Sequence, residues 1–324
     1  MAGPQEQIEV IVRHIAVETQ DIRSFVLERA DRNLLPAFRP GAHIDVEPVP
    51  GLIRQYSLVG SPADRTQYMI GVKKEPRSRG GSSAMHGALQ EGSLLKISPP
   101  KNNFALDDTC GRCLLLAGGI GVTPLLSMAQ SLALRGEKFE LHYFVRTSAD
   151  LAFSMLLSAP QMKPHVFFHF GLVPPALNDF LQILLREAAC DDQIYMCGPT
   201  AFMESIRVAA ADEDWSQDRI FHEHFSAAPS PLPLEGDSFV LRLLASDLEL
   251  VVPPDRSIVE VMRDAGIEIA TNCEQGICGT CVARMVEGDP DHRDMYLTDE
   301  EHDNEQLFAP CVSRAKSRLL VLDL

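Results

Sequence analysis

Four cysteines carry the most specific chemistry in the chain. Cys273, Cys278 and Cys281 lie in the run Cys273-Glu-Gln-Gly-Ile-Cys278-Gly-Thr-Cys281, and Cys311 stands alone further on. The C-x4-C-x2-C spacing with a distant fourth thiolate is that of a [2Fe–2S] centre. Two irons bridged by two sulfides need four soft, deprotonated ligands, three of them from one tight loop. Such a loop must be free of bulk, and Gly276, Gly279 and Thr280 supply that, glycine also tolerating positive φ. Their amides are placed to face the cluster sulfurs and tune its potential. Zinc sites favour paired C-x2-C knuckles, and no second pair lies near Cys311. The iron–sulfur reading is therefore preferred over a zinc site or structural cysteines.

Further motifs point to phosphate and ring binding. Arg54-Gln55-Tyr56-Ser57 ends an apparent hairpin strand. Tyr56 offers an aromatic face, Ser57 a polar contact and Arg54 a charge for a phosphate. Taken alone it is also what any exposed strand carries. Arg79-Gly80-Gly81-Ser82-Ser83 precedes an expected helix, Ala84–Leu89. Glycines there let amides approach a phosphate; the plainer reading is a surface loop. Gly118-Gly119-Ile120-Gly121-Val122-Thr123-Pro124 follows an apolar strand and opens a helix, with Thr123 expected as cap and Pro124 at the first position. That arrangement aims amides and the helix dipole at a pyrophosphate, although it is not the G-x-G-x-x-G fingerprint. Cys197-Gly198-Pro199 sits at the end of another strand, and a tight turn with a buried cysteine is the alternative for both.

These motifs need elements to hold them. Short apolar runs at Ile8–Val12, Ile22–Leu27, His43–Val46, Tyr56–Val59, Tyr68–Val72 and Leu94–Ile97, separated by turn residues, predict an antiparallel barrel. The rhythm then changes to strand Leu114–Ala117, helix Thr123–Leu134, strand Phe139–Val145, helix Asn178–Ala189, strand Gln193–Cys197 and helix Pro199–Ala211. That alternation predicts a doubly wound α/β domain. Ser226–Asp237 is proline-rich and reads as a semi-rigid linker. Beyond it, Phe239–Leu244 and Leu248–Val252 form an expected hairpin turning at Ser246-Asp247. Ser257-Ile-Val-Glu260 is a capping box for a helix that Gly266 ends. A small α+β unit, β-grasp-like, then carries the cysteine loop. The expected boundaries are 1–104 for the barrel, 105–228 for the nucleotide domain, 229–238 for the linker and 239–324 for the cluster domain.

The chain of 324 residues is 45% apolar with a net charge of −16. The length suits two or three domains, and the charge argues against nucleic acid or an anionic membrane as partner. Eight cysteines are too few for a disulfide scaffold, and the thiolate set fits a reducing, cytoplasmic compartment. The N-terminus lacks the basic-then-apolar order of a signal peptide. Cys113–Leu134 is uncharged and long enough to span a membrane, but its glycines and Thr123-Pro124 break it into strand, turn and helix.

Taken together, the motifs resemble the ferredoxin-reductase flavoproteins: R-x-Y-S, the glycine pair, G-G-x-G-x-T-P and C-G-P occur here in that order. With a C-terminal cysteine loop of plant-type ferredoxin form, the whole chain is similar to the phthalate dioxygenase reductases and vanillate O-demethylase reductases. Asp291-His-Arg-Asp-Met295 and the tail from Cys311 to Ser317 extend the likeness. The resemblance implies FMN rather than FAD, with Arg54, Gln55, Gly71, Val72, Lys73, Arg79, Gly80, Gly81, Ser82, Thr123 and Phe225 as flavin contacts. It also implies a nicotinamide site at Gly118, Gly119, Gly121 and Pro124 and at Gly198 and Pro199, with Cys197 and Glu223 shaping the reaction pocket. His222-Glu223-His224-Phe225 departs from the family's usual F-E-S-F. Such a monomeric reductase would pass electrons from NADH through FMN and the cluster to an oxygenase component. The rival readings are a reductase for a haem monooxygenase and a redox sensor that does not turn over.

Cofactor choice is expected to fall after the second α/β strand, at Arg146-Thr147-Ser148-Ala-Asp150. The phthalate reductase pattern, which uses NADH, has an aspartate directly after the arginine. Here Thr147 takes that place, so NADH is expected with NADPH tolerated. Cys110-Gly-Arg-Cys113 precedes a strand, not a helix, and is set aside as a dithiol site. Cys190 is read as packing. His165, His169, His292 and His302 show no paired ligand spacing and are read as solvated or core residues. The acidic run Asp289–Glu305 reads as a solvated face that is also placed to orient a basic partner.

Overall fold

The computed structural model describes residues 7–76, 80–107, 111–189, 191–225, 237–271, 274, 276–277, 279–304 and 306–324, without the side chain of Asp299. Arg79, Cys110, Cys190, Cys273, Cys278 and most of the expected linker lie outside the described residues. Two compact units are formed, Met1–His224 and Phe225–Leu324.

The first unit opens with strands β1 (Ile8–Val17), β2 (Ile22–Arg29), β3 (His43–Val49), β4 (Leu52–Ser57) and β5 (Tyr68–Lys73), helix α1 (Gly81–Gly87) and strand β6 (Leu94–Ile97). The strands pair antiparallel in the order β4-β3-β6-β1-β2-β5. A bridge between Leu58 and Ile70 links the two outer strands, so the barrel is nearly closed. Alternate residues Ile8, Val10 and Val12, with Phe25, Leu27, Ile44 and Val46, fill its core, the period of two that a half-buried sheet requires. β4 lies earlier than the apolar run Tyr56–Val59 suggests, because Leu52–Ser57 pairs with β3 as a hairpin.

The chain continues through β7 (Cys113–Gly118), α2 (Val122–Arg135), β8 (Phe139–Val145), α3 (Ser154–Leu157), β9 (Val166–Phe170), α4 (Ala176–Arg186), β10 (Gln193–Cys197), α5 (Thr200–Asp212) and β11 (Ile220–Glu223). All five strands run parallel, in the order β11-β10-β7-β8-β9. Both faces are covered, so β7 is apolar throughout: Leu115 and Ala117 pack with α2, Leu114 and Leu116 with α4 and α5. The chain winds outward from β7 to β8 and β9, then returns to β10 on the other side. The strand order thus reverses between β7 and β10, where doubly wound sheets hold their ligands.

Three expectations change here. Thr123 is not the cap of α2. Gly119–Gly121 form a 3-10 turn, Gly121 is the N-cap, and the Thr123 hydroxyl donates back to the Ile120 carbonyl at 3.0 Å. β9 was not expected, because Val166-Phe-Phe-His-Phe170 is an edge strand with no alternation. β11 was missed because it is four residues long.

In the second unit, β12 (Phe239–Leu243) and β13 (Leu248–Val252) form the expected hairpin. They are followed by α6 (Ile258–Asp264), β14 (Ala283–Glu287), β15 (Pro290–Asp291), α7 (Asp299–Asp303), β16 (Leu307–Phe308), β17 (Arg314–Ala315) and β18 (Leu319–Leu322). The sheet order is β13-β12-β18-β14-β16, with β12 and β18 parallel. The Ser257–Glu260 capping box starts α6, which packs Ile258, Val261 and Met262 on Leu241, Leu243 and Leu320. Among the described residues no helix is long and apolar enough to cross a membrane.

Candidate functional site

The motifs of the first unit converge where β7 and β10 end. Gly121 sits so close to the end of β10 that an added Cβ would lie 2.2 Å from the Cys197 carbonyl oxygen and 2.7 Å from the Gly198 nitrogen. The two loops are therefore in backbone contact, which only glycine permits at that position. Cys197 is fully buried. Burial first, and the charge of Glu223 second, push its thiol well above the ordinary range. A thiol held in that state packs and shapes; it is not an activated nucleophile.

The barrel meets this loop pair from the other side. A Cβ on Gly71 of β5 would be 2.6 Å from Phe153 Cζ and 2.8 Å from Thr123 Cγ2. Glu18 accepts from the Phe153 amide at 2.8 Å, and Gln130 Nε2 donates to the Val59 carbonyl at 2.7 Å. Glu223, at the end of β11 and beside Cys197 in the ladder, accepts from Ser57 Oγ of the barrel at 3.2 Å. Its side chain is 16% exposed. Burial pushes the carboxyl up to about 8, against a smaller lowering by the Ser57 hydrogen bond. Glu223 is thus mostly protonated at neutral pH.

On the barrel rim, Arg54 lies across the start of α1: a Cβ on Gly81 would meet Arg54 Cγ at 2.4 Å and Nε at 2.9 Å. The structure thereby brings together Arg54, Gly80, Gly81 and Ser82, which sequence places in two separate motifs. Ser82 Oγ accepts from the Glu75 amide at 3.1 Å. Tyr56 is partly buried against the barrel core, its phenol pushed up chiefly by burial. Gln55 pairs with Asp45 across the β3–β4 hairpin. Val72 is buried, and Lys73 stands 3.9 Å from Asp21.

Arg146 follows β8 and is exposed. Asp150, the nearest acid, accepts from the Thr147 amide at 3.0 Å and hydroxyl at 2.8 Å, closing a capping box. Phe225 belongs to the second unit and is 40% exposed.

In the second unit Cys281 and Cys311 are buried together in an apolar pocket with Val259 and Ala309. Gly276 and Gly279 adopt φ of 71° and 70°. A Cβ on Gly276 would lie 2.7 Å from Val312 Cγ2 and 2.9 Å from Asp294 Cα. Two buried cysteines beside a loop that admits no bulk fit a cluster held by thiolates.

The histidines read as isolated prove to be clustered. His302 Nε2 is 3.2 Å from Asp294 Oδ1, and His292 Nδ1 is 4.0 Å from the same atom. Their rings stack at 3.7 Å with planes 21° apart. A metal lies near the plane of each imidazole that binds it, and two stacked planes do not meet at ligand distance. The pair shares Asp294 without aiming at one ion. His142 Nδ1 and His169 Nε2 likewise approach to 3.0 Å. Sequence reasoning also passed over His43, which is buried beside Glu223; a histidine opening a strand has no signature.

Residues 242–316 match the 2Fe-2S iron-sulfur cluster binding domain. The chain is 45% identical to a vanillate O-demethylase oxidoreductase of a Pseudomonas sp. over 98% of this chain and 100% of that one. Among solved structures it is similar to a phthalate dioxygenase reductase, described as modular for electron transfer from pyridine nucleotides to [2Fe-2S], with TM-score 0.77, 35% identity and 98% of both chains covered. It is also similar to an intact type IV self-sufficient cytochrome P450 monooxygenase, with TM-score 0.82 and 32% identity, covering 98% of this chain and 41% of that one. The chain belongs to the oxidoreductase family of the phthalate dioxygenase reductases and vanillate O-demethylase oxidoreductases.

Proposed function

We propose that this protein is the reductase component of a two-component aromatic-ring oxygenase or O-demethylase, oxidising NADH and delivering electrons singly to its partner. In this reading residues 1–104 bind FMN, 105–228 bind the nucleotide, 229–238 link, and 239–324 carry the cluster, in a monomer of the cytoplasm. FMN, when bound, supplies the step that accepts a hydride's two electrons together and releases them one at a time. Arg54, Arg79 and Gly80–Ser82 would hold its phosphate, with Gln55, Tyr56, Ser57, Gly71, Val72, Lys73, Thr123 and Phe225 around the rest. Gly118, Gly119, Gly121, Pro124, Arg146, Gly198 and Pro199 would hold the nucleotide. Cys273, Cys278, Cys281 and Cys311 would ligate the cluster.

The observation that carries the reading is the meeting of Ser57 with Glu223 at 3.2 Å. It joins the barrel to the sheet at the strand-order reversal, beside the backbone contact of Gly121 with Cys197. Glu223 holds a proton there and Ser57 orients it. Buried Cys197 and the loop glycines exclude water and side chains from the space where the nicotinamide and flavin rings must approach. Steady NADH-driven reduction of cytochrome c by the purified protein tests it; a single turnover without sustained reduction would favour a sensor. A second reading, a reductase for a haem monooxygenase, is favoured by the likeness to the self-sufficient P450 chain. Reconstitution against a panel of oxygenases and haem monooxygenases separates the two.

A further inference from the structure

His43 lies beside the Glu223 carboxyl, and the scheme above leaves it without a task. It opens β3 and pairs with Ser57 across the β3–β4 ladder, so the two side chains leave the sheet on one face. Both reach Glu223: Ser57 Oγ is 3.2 Å from Oε2, and His43 Nδ1 is 4.0 Å from Oε1. The His43 side chain is 6% exposed, and neither ring nitrogen has a hydrogen-bond partner among the described residues. Leaving a buried polar group unsatisfied costs about 1–3 kcal/mol, which makes an idle imidazole at this position unexpected.

The charged groups around it are Asp45 on the same strand, Lys101 on the segment bridged to His43 through the backbone, and Glu223 on β11. Asp45 and Lys101 pair with each other at 2.7 Å, which leaves Glu223 as the group that His43 answers. Burial lowers the imidazole to about 4, with Asp45 acting upward and Lys101 downward. At neutral pH a neutral ring therefore faces a protonated carboxyl, an acceptor beside a donor. A small side-chain rotation or a bridging water closes the remaining gap.

Oxidation of one NADH yields NAD⁺, two electrons and one proton. The electrons leave singly for the acceptor, so one proton must leave the site for each nucleotide oxidised. The geometry points to His43 as the positioning residue that takes the proton Glu223 holds: the Oε1–H bond breaks as an Nδ1–H bond forms, the imidazolium gives that proton to solvent, and the carboxylate left behind takes up the proton released for each NADH oxidised, which restores the Glu223 carboxyl. Nothing is oxidised or reduced in this step. A cleft of about 270 Å³ is lined by Ala42 and Lys101, the chain neighbour and the backbone partner of His43. The inference rests on the reading of Glu223 as a pocket residue.

The test uses the full-length, cofactor-loaded protein with nitrogen-15 histidine. In the wild type, the His43 Nδ1 resonance shifts over the same pH range in which the protonated Glu223 infrared band disappears, that band being assigned by its loss in Glu223→Gln. In Glu223→Gln the His43 resonance stays flat over that range. In His43→Gln, kcat for NADH-driven ferricyanide reduction falls about tenfold with KM for NADH unchanged, and the solvent deuterium isotope effect rises. General acid–base groups themselves contribute about 10²–10⁴, and loss of a relay partner is the smaller effect. A His43 resonance flat through the wild-type Glu223 transition overturns the inference, as does an unchanged kcat and isotope effect in His43→Gln. Should His43→Gln lose its flavin, the wild-type and Glu223→Gln titrations decide alone. Wild-type turnover by Glu223→Gln would instead refute the role given to Glu223, whereas slow turnover by Glu223→Gln together with a His43 resonance that stays flat in the wild type sinks this inference only.

Discussion

Replacing Glu223 by glutamine is expected to stabilise the first unit by an amount that grows as pH rises through the range from 4.5 to about 8. The reasoning is one of proton linkage. Glu223 titrates near 4.5 when unfolded and at about 8 when folded, so the unfolded state ionises first. Below pH 4.5 the carboxyl is protonated in both states and costs nothing. Between 4.5 and 8 the folded state loses about 1.4 kcal/mol per pH unit relative to the unfolded one, and above 8 the loss levels off at about 5 kcal/mol. Glutamine carries no such penalty, and its carbonyl accepts from Ser57 as the carboxyl does.

The stability difference between Glu223→Gln and wild type should therefore grow by about 3–4 kcal/mol from pH 5 to pH 8.5. In a unit of this size that is about 6–15 °C in Tm. The assay is built into the chain: Trp215 is its single tryptophan, buried in the first unit with its indole donating to the Leu185 carbonyl at 3.1 Å. Urea titrations followed by its fluorescence read this unit. A difference that is constant from pH 5 to 8.5, or that shrinks as pH rises, would refute the placement of a protonated carboxyl between barrel and sheet.

Cys311→Ser or Cys281→Ser should abolish the visible cluster absorbance and cytochrome c reduction while leaving NADH-driven ferricyanide reduction; retained cytochrome c reduction would break the proposed electron path. Arg54→Ala should weaken FMN retention about 10- to 100-fold, the worth of a charge-assisted phosphate contact, measured by flavin content after gel filtration. Gly121→Ala forces a Cβ against the Cys197 carbonyl, so KM for NADH should rise about tenfold or more at unchanged flavin content, and an unaltered KM would show that the loop is not a nucleotide site. NADH should exceed NADPH in kcat/KM, and an equal or higher value for NADPH would assign Arg146, Thr147 and Ser148 to a 2′-phosphate.

What sequence reveals here depends on whether the chemistry is local. The cysteine loop was legible because a cluster demands thiolates at fixed spacing and glycines between them, all within nine residues of chain. The nucleotide loop was legible because its glycines and proline announce a strand–helix turn, though not in detail. Reading Thr123 as the cap ignored that a 3-10 turn can precede the helix, which leaves Gly121 in that place. β9 escaped because its short run Val166-Phe-Phe-His-Phe170 has no alternation, and as an edge strand it leaves its three phenylalanines exposed. Ser57 and Glu223 were each singled out, yet nothing in either motif says that they touch, 166 residues apart. Their meeting depends on strand order: β10 returns beside β7, β11 adds outside it, and only then does the end of β11 face the barrel. His43 is the further case. Its neighbours on the chain mark it as the start of a strand, and what makes it chemically notable, burial without a partner beside a raised carboxyl, is produced wholly by that same packing. A site assembled at a reversal of strand order is thus read from sequence as separate fragments, and its proton chemistry, which depends on what the fragments bury between them, becomes visible only in the fold.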